Sequence, residues 1–453
     1  MSGFDPARLA ARLAHFRDAP GCRIAFSGGL DSSVLLSAAH AVRDRLPGEL
    51  RAVHVDHGLH PDSPAWADQC RARCAALGVP CTILRPDLNL APGDSLEAVA
   101  REARYRACAA LLESGELLLT AHHQEDQAET LLLALLRGSG VQGLAAMPFA
   151  MPLGRGQLVR PLLEVPRRAL ADYARAQGLS WIEDPSNQVT RLDRNYLRHQ
   201  ILPLLRARWP GCDATIARGA GHCAEAAHLT EHLTAATLAG LAGRRPGTLD
   251  IQALGQVERP LQKAVLRLWL KRQGFAPPAS RQLARILDEV VTARADASPL
   301  VAWPGCEVRR HRQDLYALSP LPPAPTRTLD LSWHITGGQA RLALPEGLGW
   351  LEWQTESGKM GKDAPAAPIA LSIRFGVEGL GCRTTPGGHA RPLKKLYQSA
   401  GIPDWLRPYV PQVFAGGELI ALPGICHCLG APDRAHPLGR ITWSGHPWQA
   451  IVP

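Results

Sequence analysis

The chain lacks the paired cysteines that mark zinc ribbons and dithiol redox sites. Its eleven cysteines are scattered, and no Cys-x-x-Cys occurs. Cys426 and Cys428 flank His427, but without a second pair of ligands we interpret them as packing residues. The N-terminus has no apolar signal core, and no hydrophobic run is long enough to span a membrane. These absences predict a soluble, cytoplasmic protein with reduced thiols.

Length, apolar residues and positive charge are present in quantity. The 453 residues suggest about three domains, and an apolar fraction of 46% suffices for several packed cores. The net charge of +9 indicates a polyanionic partner, although a basic surface is common and decides little by itself. No internal repeat of fixed period is visible.

Strand-like and helical runs alternate over the first two hundred residues. The predicted strands are 23–26, 51–55, 81–84 and 117–121, and the predicted helices between them are 32–45, 64–77 and 95–113. This alternation predicts an α/β fold with a doubly wound parallel sheet. Ligands of such sheets bind beyond the carboxyl ends of the strands, where the stretches after Phe26, His54 and Ala121 are expected to meet.

The pattern changes beyond the predicted sheet. We predict a mainly helical domain with helices over 254–270 and 280–292 and a basic hairpin over 301–318, then a proline-rich linker with a strand-rich segment, and finally a small α+β domain. The predicted domain limits are 1–206, 207–320, 321–370 and 371–453.

The stretch Phe-Ser-Gly-Gly-Leu-Asp-Ser-Ser, residues 26–33, joins the first predicted strand to the first predicted helix. Gly28 and Gly29 can take positive φ and let a ligand approach the backbone. The free N–H groups of a helix start favour an anion, and three serines add hydroxyl donors: Ser27, Ser32 and Ser33. Asp31 would oppose a phosphate unless a cation lies between them, so it suggests Mg²⁺.

A Walker A loop is excluded, because the Gly-Lys-Ser/Thr ending is missing. The plainer alternative is an ordinary strand–turn–helix with a serine cap.

A second candidate motif is built from His122, Asp126 and Glu129, which we place on one helix face from their spacing of four and seven residues. An imidazole above two carboxylates beside a phosphate site is suited to bind a cationic amine and manage its proton. Taken alone, such a face is more often a salt-bridged surface. The helix is expected to end at Gly138, after Arg137.

Two pairs of arginines are further candidates. Arg101 and Arg104 share a predicted helix face with Glu97, where Glu–Arg pairing and a substrate role are equally favoured. Arg194 and Arg198 stand four residues apart and are able to hold a carboxylate by forked hydrogen bonds, with an exposed basic face as the alternative.

Together these strings resemble the tRNA(Ile)-lysidine synthetases, a family of PP-loop ATP pyrophosphatases. The matching strings cover most of residues 21–205, and later ones lie at 303–310 and 394–407. The chain departs from the family pattern at Ala121 and Glu125, where the family usually has glycine and aspartate.

The resemblance implies an ATP-dependent ligase. Such enzymes adenylate C2 of the wobble cytidine of an isoleucine tRNA with a CAU anticodon, and free L-lysine then displaces AMP to give lysidine. The product reads AUA instead of AUG and carries isoleucine identity. ATP and Mg²⁺ are the implied cofactors, the tRNA and lysine are the implied partners, no membrane is involved, and a homodimer is left open.

The resemblance also implies roles for particular residues. The implied ATP site is Ser27, Gly28, Gly29, Leu30, Asp31, Ser32, Ser33, His54 and Val55, with Asp31 holding the metal. The implied catalytic or lysine-binding residues are His122, Asp126, Glu129 and Arg194. The implied tRNA contacts are Arg101, Arg104, Arg137, Arg309, Arg310, Arg391, Lys394 and Lys395.

Three other functions are weighed against this one. PP-loop tRNA cytidine thiolases rely on cysteines, and this chain has no Cys-x-x-Cys. Glutaminase-linked synthetases need a cysteine at position two, where this chain has Ser2. A non-catalytic tRNA-binding protein is disfavoured by the intact loop at 27–33.

Overall fold

The computed structural model describes residues 3–91, 93, 95–185, 189–294, 297–336, 339–345, 347–354, 368–429, 440–449 and 451–452. The chain divides into two compact units, Met1–Glu231 and His232–Pro453. Among the described residues, no helix combines the length and the apolar character needed to cross a membrane.

A six-stranded sheet organises the first unit. Its strands are β1 (Gly21–Ala25), β2 (Glu49–Val55), β3 (Cys81–Leu84), β4 (Leu117–Leu119), β5 (Ala150–Leu153) and β6 (Gly156–Val159). The strand order is β3-β2-β1-β4-β6-β5, and every neighbouring pair is parallel except β5 with β6. The predicted parallel sheet is thereby confirmed, and a short antiparallel hairpin extends it at one edge.

Helices connect and follow the strands of the first unit. They are α1 (Pro6–Leu13), α2 (Leu30–Ala41), α3 (Ser63–Ala76), α4 (Leu96–Leu111), α5 (Gln124–Leu136), α6 (Val141–Leu144), α7 (Arg167–Ala176), α8 (Asp193–Tyr196), α9 (Leu202–Arg208) and α10 (Cys212–Ala239). The sheet and α2 bury apolar side chains against each other, among them Ile24, Val34 and Leu35, each with 0% exposure. This burial fixes the start of α2 directly beyond the carboxyl end of β1.

The second unit begins with the C-terminal part of α10 and continues with α11 (Ile251–Gly255), α12 (Arg259–Arg272) and α13 (Ser280–Arg285). The helix predicted over 254–270 is interrupted after Gly255, because Pro260 opens a new helix at its first turn. A four-stranded sheet follows in the order β7-β10-β9-β8, from β7 (Leu249–Asp250), β8 (Leu300–Trp303), β9 (Cys306–His311) and β10 (Asp314–Leu318). The hairpin predicted over 301–318 is confirmed. These residues form three strands, because β9 pairs with both β8 and β10.

The rest of the second unit is rich in strands. Its elements are β11 (Asp330–Ile335), β12 (Gln339–Ala343), β13 (Trp350–Gln354), β14 (Ile369–Phe375), β15 (Gly381–Cys382), β16 (Arg391–Pro392), α14 (Leu393–Ser399), β17 (Pro411–Ala415), β18 (Glu418–Leu422), β19 (Cys426–His427) and β20 (Arg440–Ser444). The sheets β11-β14-β17-β18-β19 and β12-β13-β20 share a core that includes Trp333, Trp353 and Phe375. β11 pairs with β14, so one sheet joins residues on both sides of the limit predicted at 370.

Candidate active site

The turn between β1 and α2 depends on Gly28. Its φ is +83°, a region that side chains with a Cβ rarely adopt. A Cβ here would lie 2.6 Å from Ile182 Cδ1 and 2.9 Å from Cys70 Sγ. The Gly28 carbonyl accepts a hydrogen bond from the Ile182 backbone N–H at 2.9 Å, so the turn is fastened to the segment that follows α7.

Gly29 has ordinary extended backbone and precedes the first residue of α2. The Ser27 and Ser32 hydroxyls lie 3.0 Å apart, and the Ser33 hydroxyl donates to the Gly28 carbonyl at 3.3 Å. The first turn of any helix has backbone N–H groups without an intrahelical acceptor, and the helix dipole is positive there. The turn therefore presents donors to an anion, as the sequence predicts for a phosphate loop.

Asp31 lies in the first turn of α2 between a histidine and an arginine side chain. Its Oδ2 is 3.7 Å from His123 Nε2, and its Oδ1 is 3.6 Å from Arg167 Nε. Within the described part of the chain, Oδ1 is buried and accepts no hydrogen bond. Burial raises the pKa of Asp31, while the charges of His123 and Arg167 oppose that rise. A buried carboxylate oxygen that accepts no hydrogen bond is suited to bind a hard cation such as Mg²⁺.

His123, which sequence reasoning passed over, is the histidine at the centre of the site. It precedes the first residue of α5, and its backbone N–H donates to Asp126 Oδ2 at 2.9 Å. Its Nδ1 lies 3.1 Å from Glu125 Oε2, and its Nε2 lies 3.4 Å from Asp126 Oδ2. Burial disfavours the charged ring, but the hydrogen bond to Glu125 and the charges of Asp126 and Asp31 raise the pKa of His123 overall.

The placement of His122 on the face of α5 is wrong. Because α5 begins at Gln124, His122 lies in the loop between β4 and the helix, with Nδ1 2.9 Å from the Thr120 hydroxyl. Burial lowers the pKa of His122 to about 3, so the ring is neutral at pH 7. The predicted helix end is confirmed: α5 ends at Leu136, and Gly138 has a φ of +69°.

Asp126 and Glu129 do share a face of α5, and two arginines occupy it. Arg194 Nη2 lies 2.8 Å from Asp126 Oδ1, and Arg194 Nε lies 2.7 Å from Glu129 Oε2. Arg198 bonds the same two carboxylates, with Nη2 3.1 Å from Asp126 Oδ1 and Nε 2.6 Å from Glu129 Oε1. Arg198 belongs to a π-helical turn, Leu197–Ile201, that joins α8 to α9.

This network of two carboxylates and two guanidinium groups is largely buried. Side-chain exposure is 1% for Glu129 and 10% for Asp126, against 23% for Arg194 and 29% for Arg198. Burial by itself would raise the pKa of Asp126, but the charges of His123 and Arg194 hold that pKa below its ordinary value. Asp126 is therefore ionised, and both carboxylates are already paired with guanidinium groups in this structure.

A cavity of about 470 Å³ lies at the carboxyl edge of the sheet. The phosphate-loop turn, the end of β4 and the segment after α7 border it, and Arg198 projects into it from the charge network. Its polar lining includes Ser27, Asp31, Ser32, Arg104, Thr120, His122, Arg167, Glu183, Asp184, Arg198 and His199. Asp126, Glu129 and Arg194 lie outside this lining, so Arg198 links the carboxylate pair to the cavity.

His54 and Val55 end β2, one strand away from the phosphate loop. The His54 ring is buried, and its Nδ1 lies 2.9 Å from the Phe26 carbonyl oxygen. Burial lowers the pKa of His54, so the neutral ring holds the end of β2 against the start of the phosphate loop. Their side chains do not line the cavity.

The arginines expected at the tRNA surface of the first unit are exposed. Arg104 lines the cavity, and its Nε lies 3.4 Å from His57 Nε2. Arg101 lies over the Tyr105 ring at 5.2 Å, and Arg137 Nη2 is 3.8 Å from Asp193 Oδ2. The side chain of Glu97 and residues 186–188 lie outside the described residues.

In the second unit, the structure separates the predicted basic residues into two groups. Arg391, Lys394 and Lys395 are exposed. Arg310 is only 8% exposed, and it donates to the backbone carbonyls of Val291, Ala293 and Arg312. Its donors are used inside the protein, so a phosphate contact by Arg310 does not fit. Arg309 pairs with Glu307 at 2.8 Å and lies over the Trp405 ring at 5.5 Å.

Comparison with known families matches three parts of the chain. Residues 6–205 match a PP-loop domain, residues 249–316 match the TilS substrate binding domain, and residues 371–443 match the TilS substrate C-terminal domain.

Curated relatives extend the match to nearly the whole chain. The tRNA(Ile)-lysidine synthase of Coxiella burnetii is 41% identical over 96% of this chain and 96% of its own length. The tRNA(Ile)-lysidine synthase of Methylococcus capsulatus is 42% identical over 91% of this chain and 94% of its own length. A solved U34-tRNA thiolase from Methanococcus maripaludis is 18% identical with a TM-score of 0.41, over 49% of this chain and 78% of its own, a likeness from which nothing about function follows. The chain therefore belongs to the tRNA(Ile)-lysidine synthase family.

Proposed function

We propose that this enzyme is an ATP-dependent ligase that forms a carbon–nitrogen bond between free L-lysine and C2 of the wobble cytidine in isoleucine tRNA with a CAU anticodon. Arg198 carries the proposal, because it joins the carboxylate pair of α5 to the cavity that the phosphate loop borders. Membership of the family supports this choice of substrates.

In the first step, the cytidine oxygen at C2 attacks the α-phosphate of ATP, and pyrophosphate leaves. The donors of the turn at Ser27–Ser33 hold the leaving group. Oδ1 of Asp31, which accepts no hydrogen bond from the described residues, supports a role as Mg²⁺ ligand. The ion, when bound, neutralises charge on the phosphates. Arg167, exposed at the start of α7 and lining the same cavity, is placed to bind a phosphate oxygen.

In the second step, lysine enters by exchanging ion pairs with the network on α5. Its carboxylate takes the place of a protein carboxylate on Arg198 or Arg194, and an ammonium group takes the place of a guanidinium on Asp126 or Glu129. An exchange of this kind keeps every buried charge paired.

The ε-amine attacks only when neutral, and free lysine is charged at pH 7. Asp126 or Glu129 accepts the proton, the nitrogen bonds to C2, and AMP leaves. His122, neutral at pH 7, is suited to orient a group in the cavity by hydrogen bonding and not to store a proton.

We assign tRNA binding to exposed cationic side chains. On the first unit these are Arg101, Arg104 and Arg137. On the second unit they are Arg391, Lys394 and Lys395, which we assign to contacts outside the anticodon. A cytoplasmic location and a homodimer stay predictions.

Pyrophosphate exchange tests the order of the two steps. With tRNA transcript but without lysine, we expect radiolabelled pyrophosphate to enter ATP, and added lysine to be incorporated into the tRNA. A transcript with uridine at the wobble position is the matched control and should support neither reaction. Exchange that needs no tRNA, or transfer of sulfur in place of lysine, would contradict the proposal, and the second result would favour a thiolase.

A further inference from the structure

Three sulfur atoms from two separate stretches of the second unit meet in one place. Cys382 ends β15, while Cys426 begins β19 and Cys428 follows that strand. The expectation of reduced thiols is wrong here, because a disulfide joins Cys382 to Cys428, with their Cα atoms 5.1 Å apart. Cys426 Sγ lies 3.7 Å from Cys382 Sγ, and all three sulfur atoms lie within 4.8 Å of one another.

This spacing matches a zinc site. Thiolates bind Zn²⁺ at about 2.3 Å, so two sulfur ligands of a tetrahedral ion lie about 3.8 Å apart. The pair Cys382 and Cys426 is already at that separation without a bond between them. Cys382 and Cys428 are 1% and 5% exposed, a burial typical of structural metal ligands and not of surface thiols.

We propose that Cys382, Cys426 and Cys428 form a three-thiolate site for a soft divalent metal ion, of which Zn²⁺ is the natural occupant. A dithiol first reduces the Cys382–Cys428 bond: it is oxidised to its own disulfide, and the two protein sulfurs become thiols. Zn²⁺ then replaces the three thiol protons, which pass to solvent. The disulfide and the metal are thus alternative ways of holding the same three sulfurs.

The fourth position falls to water. Among the described residues, no fourth His, Cys, Asp or Glu joins the group. In the sequence, His427 lies between Cys426 and Cys428. Its side chain is exposed whereas that of Cys428 is buried, as expected for neighbours that point to opposite faces of a strand. Cys426 and His427 also line a cavity of about 510 Å³, which gives solvent access to the cluster.

The metal would tie β19 to the hairpin of β15 and β16. Cys382 pairs with Arg391 across that hairpin, and β16 directly precedes the helix that carries Lys394 and Lys395. The site would thereby fix the position of a basic stretch whose binding partner is a separate question. Binding of the ion does not depend on the reaction proposed above.

Metal binding by the full chain tests the proposal. We expect reduced protein to contain about one Zn²⁺ per chain by mass spectrometry of the metal. Titration with Co²⁺ should give the intense charge-transfer and ligand-field bands of a tetrahedral thiolate site. Cys426→Ser, at a partly exposed position, should weaken Co²⁺ binding about a hundredfold. Cys223→Ser, also partly exposed but in the first unit, is the matched control and should leave binding unchanged.

Three results would overturn the proposal. The first is reduced protein that holds no zinc and shows no thiolate bands with Co²⁺. The second is Co²⁺ binding of unchanged affinity in folded Cys426→Ser, since the ion would then sit elsewhere. The third concerns the oxidised protein. Protein oxidised to the disulfide should bind Co²⁺ only after a dithiol is added, and equal binding before reduction would also contradict it.

Discussion

Arg198 holds both oxygens of the Glu129 carboxylate: Nε lies 2.6 Å from Oε1, and Nη2 lies 2.8 Å from Oε2. This forked geometry is the strongest ordinary contact between a guanidinium and a carboxylate. Arg194 bonds Oε2 as well, so the charge of Glu129 is fully engaged. If lysine binds this face of α5 as proposed, it therefore has to exchange partners with the protein and does not simply enter a vacant charged site.

Glu129→Gln should raise the KM for lysine by more than tenfold and the KM for ATP by less than threefold, because one of the charges that exchanges with the substrate ammonium is removed. Steady-state assays with each substrate varied in turn measure the difference. Glu102→Gln removes an exposed carboxylate that pairs with Arg106 on α4, and it should change neither constant. A rise confined to the KM for ATP would show that the face of α5 has been misassigned.

Asp31→Asn should abolish adenylation of tRNA while tRNA binding stays intact. The amide keeps the size of the side chain but loses the charge that would hold a cation against the phosphates. Pyrophosphate exchange and a filter-binding assay measure the two properties separately. Asp44→Asn, whose side chain is 97% exposed, serves as the control. Near-normal AMP transfer by the Asp31 variant would exclude the metal role.

The neighbouring glycines of the phosphate loop should respond differently to alanine. Gly28→Ala places a Cβ at φ +83° against Ile182 and Cys70, and we expect a loss of about 1–3 kcal/mol in the free energy of unfolding. At Gly29 the nearest atom would be 3.5 Å away, so Gly29→Ala should fold normally.

Urea unfolding and ATP binding separate the two effects. If Gly29→Ala folds normally yet binds ATP weakly, a ligand approaches the backbone at that residue. Normal ATP binding by this variant would show that the phosphates of ATP do not bind against the backbone of Gly29.

The low pKa of His122 predicts a loss of stability in acid. The unfolded ring takes up a proton near pH 6.5, whereas the folded ring does so only near its pKa of about 3. The stabilising contribution is therefore complete above pH 6.5 and declines as the pH falls toward 3. Between pH 7 and pH 5 we expect His122 alone to account for a loss of roughly 2 kcal/mol in the free energy of unfolding.

The difference should be visible by urea unfolding at several pH values. His122→Gln should flatten the profile, and exposed His15→Gln should not. Equal profiles for the wild type and His122→Gln would mean that this ring titrates normally.

Charge reversal at Lys394 and Lys395 should weaken tRNA binding and reduce the slope of its salt dependence by about two, one for each phosphate that a lysine no longer neutralises. ATP binding should stay unchanged. The same change in net charge at Arg43 and Arg45, at the end of the sheet opposite the phosphate loop, is the control. Identical tRNA affinity for both double variants across a salt series would show that Lys394 and Lys395 are solvated surface charges that do not bind tRNA.

The parts of the structure that local pattern determines were predictable from sequence. The glycine turn and the four parallel strands follow from short-range signals: turn residues, apolar runs and the alternation of strands with helices. The charge network is partly of this kind, since the spacing of Asp126 and Glu129 places both on one face of a helix. That Arg194 and Arg198 bind those two carboxylates is a contact between residues 65 or more positions apart, which spacing alone does not reveal.

The errors have equally specific causes. Placing His122 on the face of α5 extends the helix two residues beyond its true start, and this hides the role of His123. Arg310 has the sequence pattern of a surface cation, but it occupies an inward position of β9 and its charge is satisfied by backbone carbonyls. The third thiol of the cysteine cluster comes from Cys382, 44 residues before Cys426, so only the fold brings it close.

The antiparallel strand β5 has a further consequence for how the sheet meets other chains. β5 is the last strand of the sheet, and an exposed edge invites a strand from another molecule to pair with it. The Arg160 N–H bonds the Phe149 carbonyl, and alternation along the ladder then turns the nitrogen of Pro152 away from β6, toward the open side. Proline has no backbone N–H to donate at this position. An added strand would therefore lack one hydrogen bond, which disfavours strand addition at this edge and the aggregation that follows from it.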